Sequence, residues 1–138
     1  GFKMEAYDGI PENAALIAKE GACVVIHSDD QNGIQRLNQA AAKAQGAGRR
    51  MGIDIPDAQV ISWFTYNAAK AMGIDDMTGS LEPGKMADVV LWNGDPLSVY
   101  TRPERVWIDG ALMYDAMDRK RRPVSDFELG QPGEGDVK

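Results

Sequence analysis

Residues 22–26 read Ala-Cys-Val-Val-Ile, an unbroken apolar run of strand length, and the residues that follow, His27-Ser28-Asp29-Asp30, are all polar. A strand with one wet face alternates apolar and polar side chains. A continuous run is the pattern of a strand covered on both faces, as in a parallel sheet flanked by helices. The residues ahead of it agree with that reading. Residues 10–20 carry Pro11 near a first turn and apolar Ala14, Leu16, Ile17 and Ala18 over about half of a helical surface, and Gly21 stops them. With Phe2-Lys3-Met4-Glu5-Ala6 as an earlier strand, the start of the chain is predicted to form a β-α-β unit.

Two further helices are expected. Between residues 32 and 51 the apolar positions Ile34, Leu37, Ala41, Ala44, Ala47 and Met51 advance in steps of three and four, one stripe of an amphipathic helix. Arg49 and Arg50 near its end and Gly52 after it suit the macrodipole and a left-handed C′ residue. Residues 56–72 are predicted as one helix carrying Val60, Phe64, Ala68 and Ala71, closed by Gly73; Trp63, Phe64 and Tyr66 are read as packing.

After Gly73 the character changes to β. Pro83-Gly84 is placed as a type II turn requires. Ala87-Asp88-Val89-Val90-Leu91-Trp92 reads as a strand, and residues 105–108 and 111–114 flank Asp109-Gly110 as a two-residue hairpin. Beyond Ala116 hydrophobic density falls, and Gly130-Gln131-Pro132-Gly133-Glu134-Gly135 buries too little apolar surface to offset the entropy of ordering, so a tail is expected, mobile or docked on a neighbour.

Composition narrows the function classes. No apolar run approaches the ~20 residues that span a bilayer, and a net charge of −6 opposes a large nucleic-acid footprint. The basic run Arg119-Lys120-Arg121-Arg122 is read as a solvated segment. A lone cysteine, Cys23, allows no intrachain disulfide, which suits a cytoplasmic protein; inside its apolar run it is read as inert packing. One histidine and one cysteine do not make a self-contained zinc site, which usually takes three or four protein ligands. At 138 residues the chain is also shorter than a whole (β/α)₈ barrel, about 250 residues. The opening Gly1 fits an excerpt of a longer chain, a processed start, or a glycine left by a vector.

Polar and acidic groups gather where the run 22–26 ends, and in a barrel that end of a strand is the catalytic face. A carboxylate there can ligate a metal and take the proton of a water whose pKa the metal lowers. Ser28, Asp29 and Asp30 can equally cap the next helix, since their side chains offer acceptors to its orphan amides. His27 is more often a satisfied structural histidine than a ligand.

The Ser28-Asp29 pair after a buried strand resembles the amidohydrolase superfamily, specifically its imidazolonepropionase-like branch. A longer similarity runs through Asn67-Ala68-Ala69-Lys70-Ala71-Met72-Gly73 and on through Thr78-Gly79-Ser80-Leu81-Glu82-Pro83-Gly84-Lys85-Met86-Ala87-Asp88-Val89-Val90, and together the two cover most of residues 1–115. The resemblance implies an α/β fold: the last β-α units of a (β/α)₈ TIM-like barrel in residues 1–73, C-terminal strands of a small β-sandwich in 74–115, and a tail in 116–138. It implies hydrolysis of a C–N bond, in a cyclic amide or dipeptide-like substrate, by water activated on a divalent metal, zinc above all. Asp29 would be metal ligand and general base at the strand mouth, its carboxylate facing a cleft. His27, Ser28 and Asp30 would be substrate-facing or neighbouring groups, while Lys85 and Asp88 would have structural roles. The family's His-x-His pair, its bridging lysine or acid and its further histidines have no match here. This stretch alone is therefore expected to be inactive and to bind zinc weakly, and to pair with the rest of such a chain or with another copy as a homo-oligomer. The competing class is a non-catalytic α/β module that binds a partner through a sheet edge or helical stripe.

Overall fold

A computed structural model describes residues 9–122. The expected strand at residues 2–6 and most of the expected tail lie outside that range. Four α-helices come first, α1 Asn13–Lys19, α2 Leu37–Arg50, α3 Asp57–Ser62 and α4 Tyr66–Met72, with a 3₁₀ turn Ile34–Arg36 leading into α2. Three strands follow, β1 Val89–Trp92, β2 Pro103–Ile108 and β3 Ala111–Asp115, in one antiparallel sheet of order β1-β2-β3. The fold is mixed α/β. No helix among the described residues is long and apolar enough to cross a membrane.

Left-handed residues end the helices where the sequence places glycine. Gly21 (φ 80°), Gly52 (φ 78°) and Gly73 (φ 71°) follow α1, α2 and α4. At α4 the Ile74 N–H reaches back to Ala69 O and the Gly73 N–H to Lys70 O, satisfying carbonyls that the helix leaves open.

α2 corrects the predicted stripe. Its buried residues are Asn38, Ala41, Gln45, Ala47 and Gly48, whereas Ile34 and Met51 are exposed. Hydropathy turns Asn38 and Gln45 outward, but a buried amide is tolerated where it is hydrogen-bonded. Asn38 Nδ2 donates to Pro96 O (2.7 Å), and Gln45 Nε2 donates to Ile55 O (2.8 Å) and Asp57 Oδ1 (2.7 Å). Beside them Gly48 meets Ala15 of α1 so closely that a Cβ there would collide with the alanine's. The core formed on this side joins Ala15, Val24, Ala41, Ile53, Ile55, Val60, Trp63 and Leu97.

The single helix expected over residues 56–72 is instead two, α3 and α4, parted at residues 63–65. The cause is tertiary. Trp63 O accepts the N–H of Ile26 (3.0 Å), so it is drawn away from the helical ladder, and Thr65 Oγ1 donates back to Ile61 O (2.8 Å). Trp63 is fully buried and Phe64 partly so, as read from sequence; Tyr66 is 37% exposed.

The β part follows its turn residues closely. Gly84 (φ 92°) with Lys85 N–H on Glu82 O closes the expected Pro83-Gly84 turn. Asp109 (φ 48°) and Gly110 (φ 78°) make the β2–β3 connection, both positive as a type I′ turn needs. In register, Val90 faces Val106 and Val106 faces Tyr114, while bulges interrupt both pairings. Part of the predicted tail docks on this sheet: Ala116 N–H donates to Glu104 O, and Arg121 Nη1 donates to Leu112 O (2.6 Å).

Residues 22–26 require a correction of another kind. They form neither helix nor ladder, and only Val24 among them is buried; Cys23, expected inside, is exposed. A strand is defined by its neighbour, and the described residues offer this run none. The α3–α4 break and α4 hold it instead, through Ile26 N–H on Trp63 O and through Asn67 Nδ2 on Val24 O (2.8 Å).

Candidate active site at the end of the apolar run

The polar residues after the run form a tight turn in which each has a distinct task. Ser28 Oγ accepts the N–H of Asp30 (3.2 Å) and donates to Asp30 O (3.0 Å). The Asp30 carboxylate accepts Asn32 N–H at Oδ1 (3.1 Å) and Gly33 N–H at Oδ2 (2.9 Å), and its carbonyl accepts Ile34 N–H. Asp30 therefore caps the turn that starts toward α2, and Ser28 braces Asp30. Both residues thus take up the capping role that the sequence left open.

The Asp29 side chain is 74% exposed, and its Oδ1 lies 3.5 Å from His27 Nδ1, an ion-pair distance whenever the imidazole is protonated. Asp29 does not line the apolar hollow walled by Leu37, Phe64 and Trp92, nor the smaller one beside Ile10, Ile17 and Val25.

No group of three or more His, Cys, Asp or Glu side chains converges among the described residues. Asp29 and His27 offer one carboxylate and one imidazole, short of the three or four protein ligands of a zinc centre. These residues do not fit a self-contained metal site. What they can contribute is one carboxylate of a larger ligand set.

Three carboxyl groups of the β part, Glu82, Asp88 and Asp115, are held below their ordinary range by bonds made within it. Asp88 is held low, chiefly by the backbone N–H of Asp109 on Oδ1 (2.9 Å) and next by the Thr78 hydroxyl on Oδ2 (2.7 Å). Glu82 is held low by the Ser80 hydroxyl and then by Lys85. Lys85 Nζ, its side chain 12% exposed, donates to Asp75 O and Ser80 Oγ (both 2.6 Å) and lies 5.9 Å from the centre of the Tyr66 ring. These ties knit the loop 74–88 together and give Lys85 and Asp88 the structural roles read from sequence.

Sequence reasoning missed a large apolar hollow of about 860 Å³, lined by Leu37, Phe64, Met72, Val90 and Trp92 among others. Its wall comes from α2, the α3–α4 break, α4 and β1, elements far apart in the chain. No local pattern signals it.

Known proteins match this chain along most of its length. A sequence model of the Amidohydrolase family covers residues 8–123. "Amidohydrolase tasK" of Hapsidospora irregularis is 30% identical over 115 residues, 83% of this chain and 11% of that protein. Urease subunit alpha of Haloquadratum walsbyi is 50% identical over 44 residues, 30% of this chain and 8% of the relative. In three dimensions, an amidohydrolase from Thermotoga maritima MSB8 superposes with a TM-score of 0.67 and 32% identity, over 83% of this chain and 28% of that one. The chain thus spans about a tenth of the length of these curated relatives. With the family model covering most of its residues, the chain belongs to the amidohydrolase family.

Proposed function

We propose that this chain works as the C-terminal part of a metal-dependent amidohydrolase that hydrolyses a C–N bond, in a cyclic amide or dipeptide-like substrate, with a metal-activated water. The chain through Gly73 would complete a (β/α)₈ barrel, and residues 74–115 a small β-sandwich. The observation that supports the reading is the exposed Asp29 carboxylate at the end of the apolar run, 3.5 Å from His27 Nδ1, in a turn bonded through Ser28 and Asp30.

In this reading Asp29 would give one carboxylate oxygen to a divalent metal, zinc by family resemblance, and the metal would supply the Lewis acidity that activates a water at neutral pH. Asp29 also accepts the water's proton, to pass it to the leaving nitrogen. His27, 3.5 Å from Asp29, faces the same space, where substrate would lie. The other ligands come from the rest of such a chain or from another copy, and a cytoplasmic setting fits the single, exposed Cys23.

The test is metal analysis of the full-length protein, followed by assay of a panel of cyclic amides and dipeptides before and after chelation. We expect bound divalent metal and a C–N hydrolase activity that is lost with the metal and restored by it. A metal-free protein, inactive on every substrate with or without added zinc, would overturn the reading in favour of an interaction module.

A further inference from the structure

Gly33 follows the Asp30 cap at φ −72° and ψ −36°, an ordinary right-handed conformation open to any residue. Its lack of a side chain is therefore not explained by backbone freedom. Space explains it. A Cβ on Gly33 would lie 2.5 Å from Ser28 Oγ, 3.2 Å from Asp30 Oδ2 and 3.5 Å from Ser28 Cβ.

The first of these contacts is untenable, and the atom in the way is the hydroxyl that makes both bonds to the Asp30 backbone. To admit a Cβ, Ser28 Oγ must swing aside and release Asp30 N–H and Asp30 O. Asp30 O would keep the N–H of Ile34, but Asp30 N–H belongs to the peptide unit that follows Asp29, so that unit would lose its tie to Ser28. We propose that Gly33 is a positioning residue for the hydrolytic reaction. By leaving room for the Ser28 hydroxyl it fixes the turn 28–33 and hence the direction of the Asp29 carboxylate. The inference rests on the role proposed for Asp29.

The consequence is sharp because reactions of this kind depend on placement, and a displacement of about 1 Å can cost on the order of 10²-fold in rate. Removing the hydroxyl should remove the collision. In Ser28→Ala a Cβ at position 33 keeps only the contacts at 3.2 Å and 3.5 Å, which shifts of a few tenths of an ångström absorb.

The experiment is a double-mutant cycle in the full-length enzyme, with Gly33→Ala, Ser28→Ala and the double variant compared for kcat, KM, metal content and melting temperature. Gly33→Ala should lower kcat on the order of 10²-fold with KM within about threefold of wild type. Ser28→Ala loses the same two bonds and should lower kcat to a similar degree, and the double variant should match it within about threefold, so that the second substitution adds little to the first. A purely structural role would move melting temperature and leave the kcat of the folded fraction unchanged, and that result overturns the proposal. So does a Gly33→Ala enzyme with wild-type kcat, or a double variant much worse than Ser28→Ala. Should Gly33→Ala not accumulate, the comparison of Ser28→Ala with the double variant decides alone. Asp29→Asn is assayed alongside: if it retains wild-type turnover, the role of Asp29 fails first, which separates that failure from failure of the Gly33 inference.

Discussion

Replacing Asn67 by alanine should loosen the segment that leads to Asp29, and the cost can be worked from the contact it removes. Asn67 Nδ2 donates to Val24 O at 2.8 Å, and Val24 is 6% exposed, so water does not readily replace the lost donor. Leaving a buried acceptor unmatched costs about 1–3 kcal/mol. For a domain of this size each kcal/mol lowers the melting temperature by about 4 °C. Thermal or urea unfolding followed by circular dichroism should show a loss in that range, and hydrogen exchange at the Ile26 amide should quicken, because its bond to Trp63 O is the other named tie on the segment. Asn67→Asp sharpens the test. A carboxylate would face the Val24 carbonyl, acceptor against acceptor, so its folded pKa is raised above the ordinary Asp value of about 3.9. The folded state then binds the proton more tightly than the unfolded one, and stability recovers as pH falls from 7 toward 4. Equal stability of wild type and both variants at pH 7 would refute the idea that this hydrogen bond holds the segment.

Two other predictions concern packing and pH. Gly48→Ala should cost about 1–3 kcal/mol through overpacking against Ala15, with Ala15→Gly recovering part of the loss; a neutral Gly48→Ala in chemical denaturation would contradict the close contact of α1 with α2. Asp88 is held below its ordinary value of 3.8 by Asp109 N–H and the Thr78 hydroxyl, so it adds stability that is fully present above about pH 4 and lost as acid protonates it. Titration by NMR should therefore leave the Asp109 amide shift flat between pH 5 and 8 and move it only in stronger acid, and movement near neutrality would contradict the tie.

Local rules reached far in this chain where a backbone conformation requires a particular residue. Asp109-Gly110 marked the hairpin because both positions need positive φ, and Gly21, Gly52 and Gly73 marked helix ends for the same reason. Legibility failed where long-range contacts decide. Asn38 and Gln45 are buried because Pro96 and Ile55 present carbonyls to them, which a hydropathy stripe cannot register. The break between α3 and α4 answers an amide on Ile26, distant in sequence. At the candidate site the sequence offered Ser28, Asp29 and Asp30 alike as caps, and that Asp30 takes the Asn32 and Gly33 amides is decided by the folded turn. The missing ladder of residues 22–26 has the same origin, for an apolar run states that a strand is wanted and not where its neighbour lies.

The central claim, that Asp29 is a working carboxylate of an amidohydrolase, is tested most directly by the turnover number of full-length Asp29→Asn on its C–N substrate, measured with unfolding curves matched to wild type. Asparagine keeps the size and an oxygen but cannot take the water's proton, and loss of a general base is worth on the order of 10²–10⁴ in rate. The account predicts a fall in kcat of at least that order with the fold intact. An Asp29→Asn enzyme turning over at the wild-type rate would contradict it.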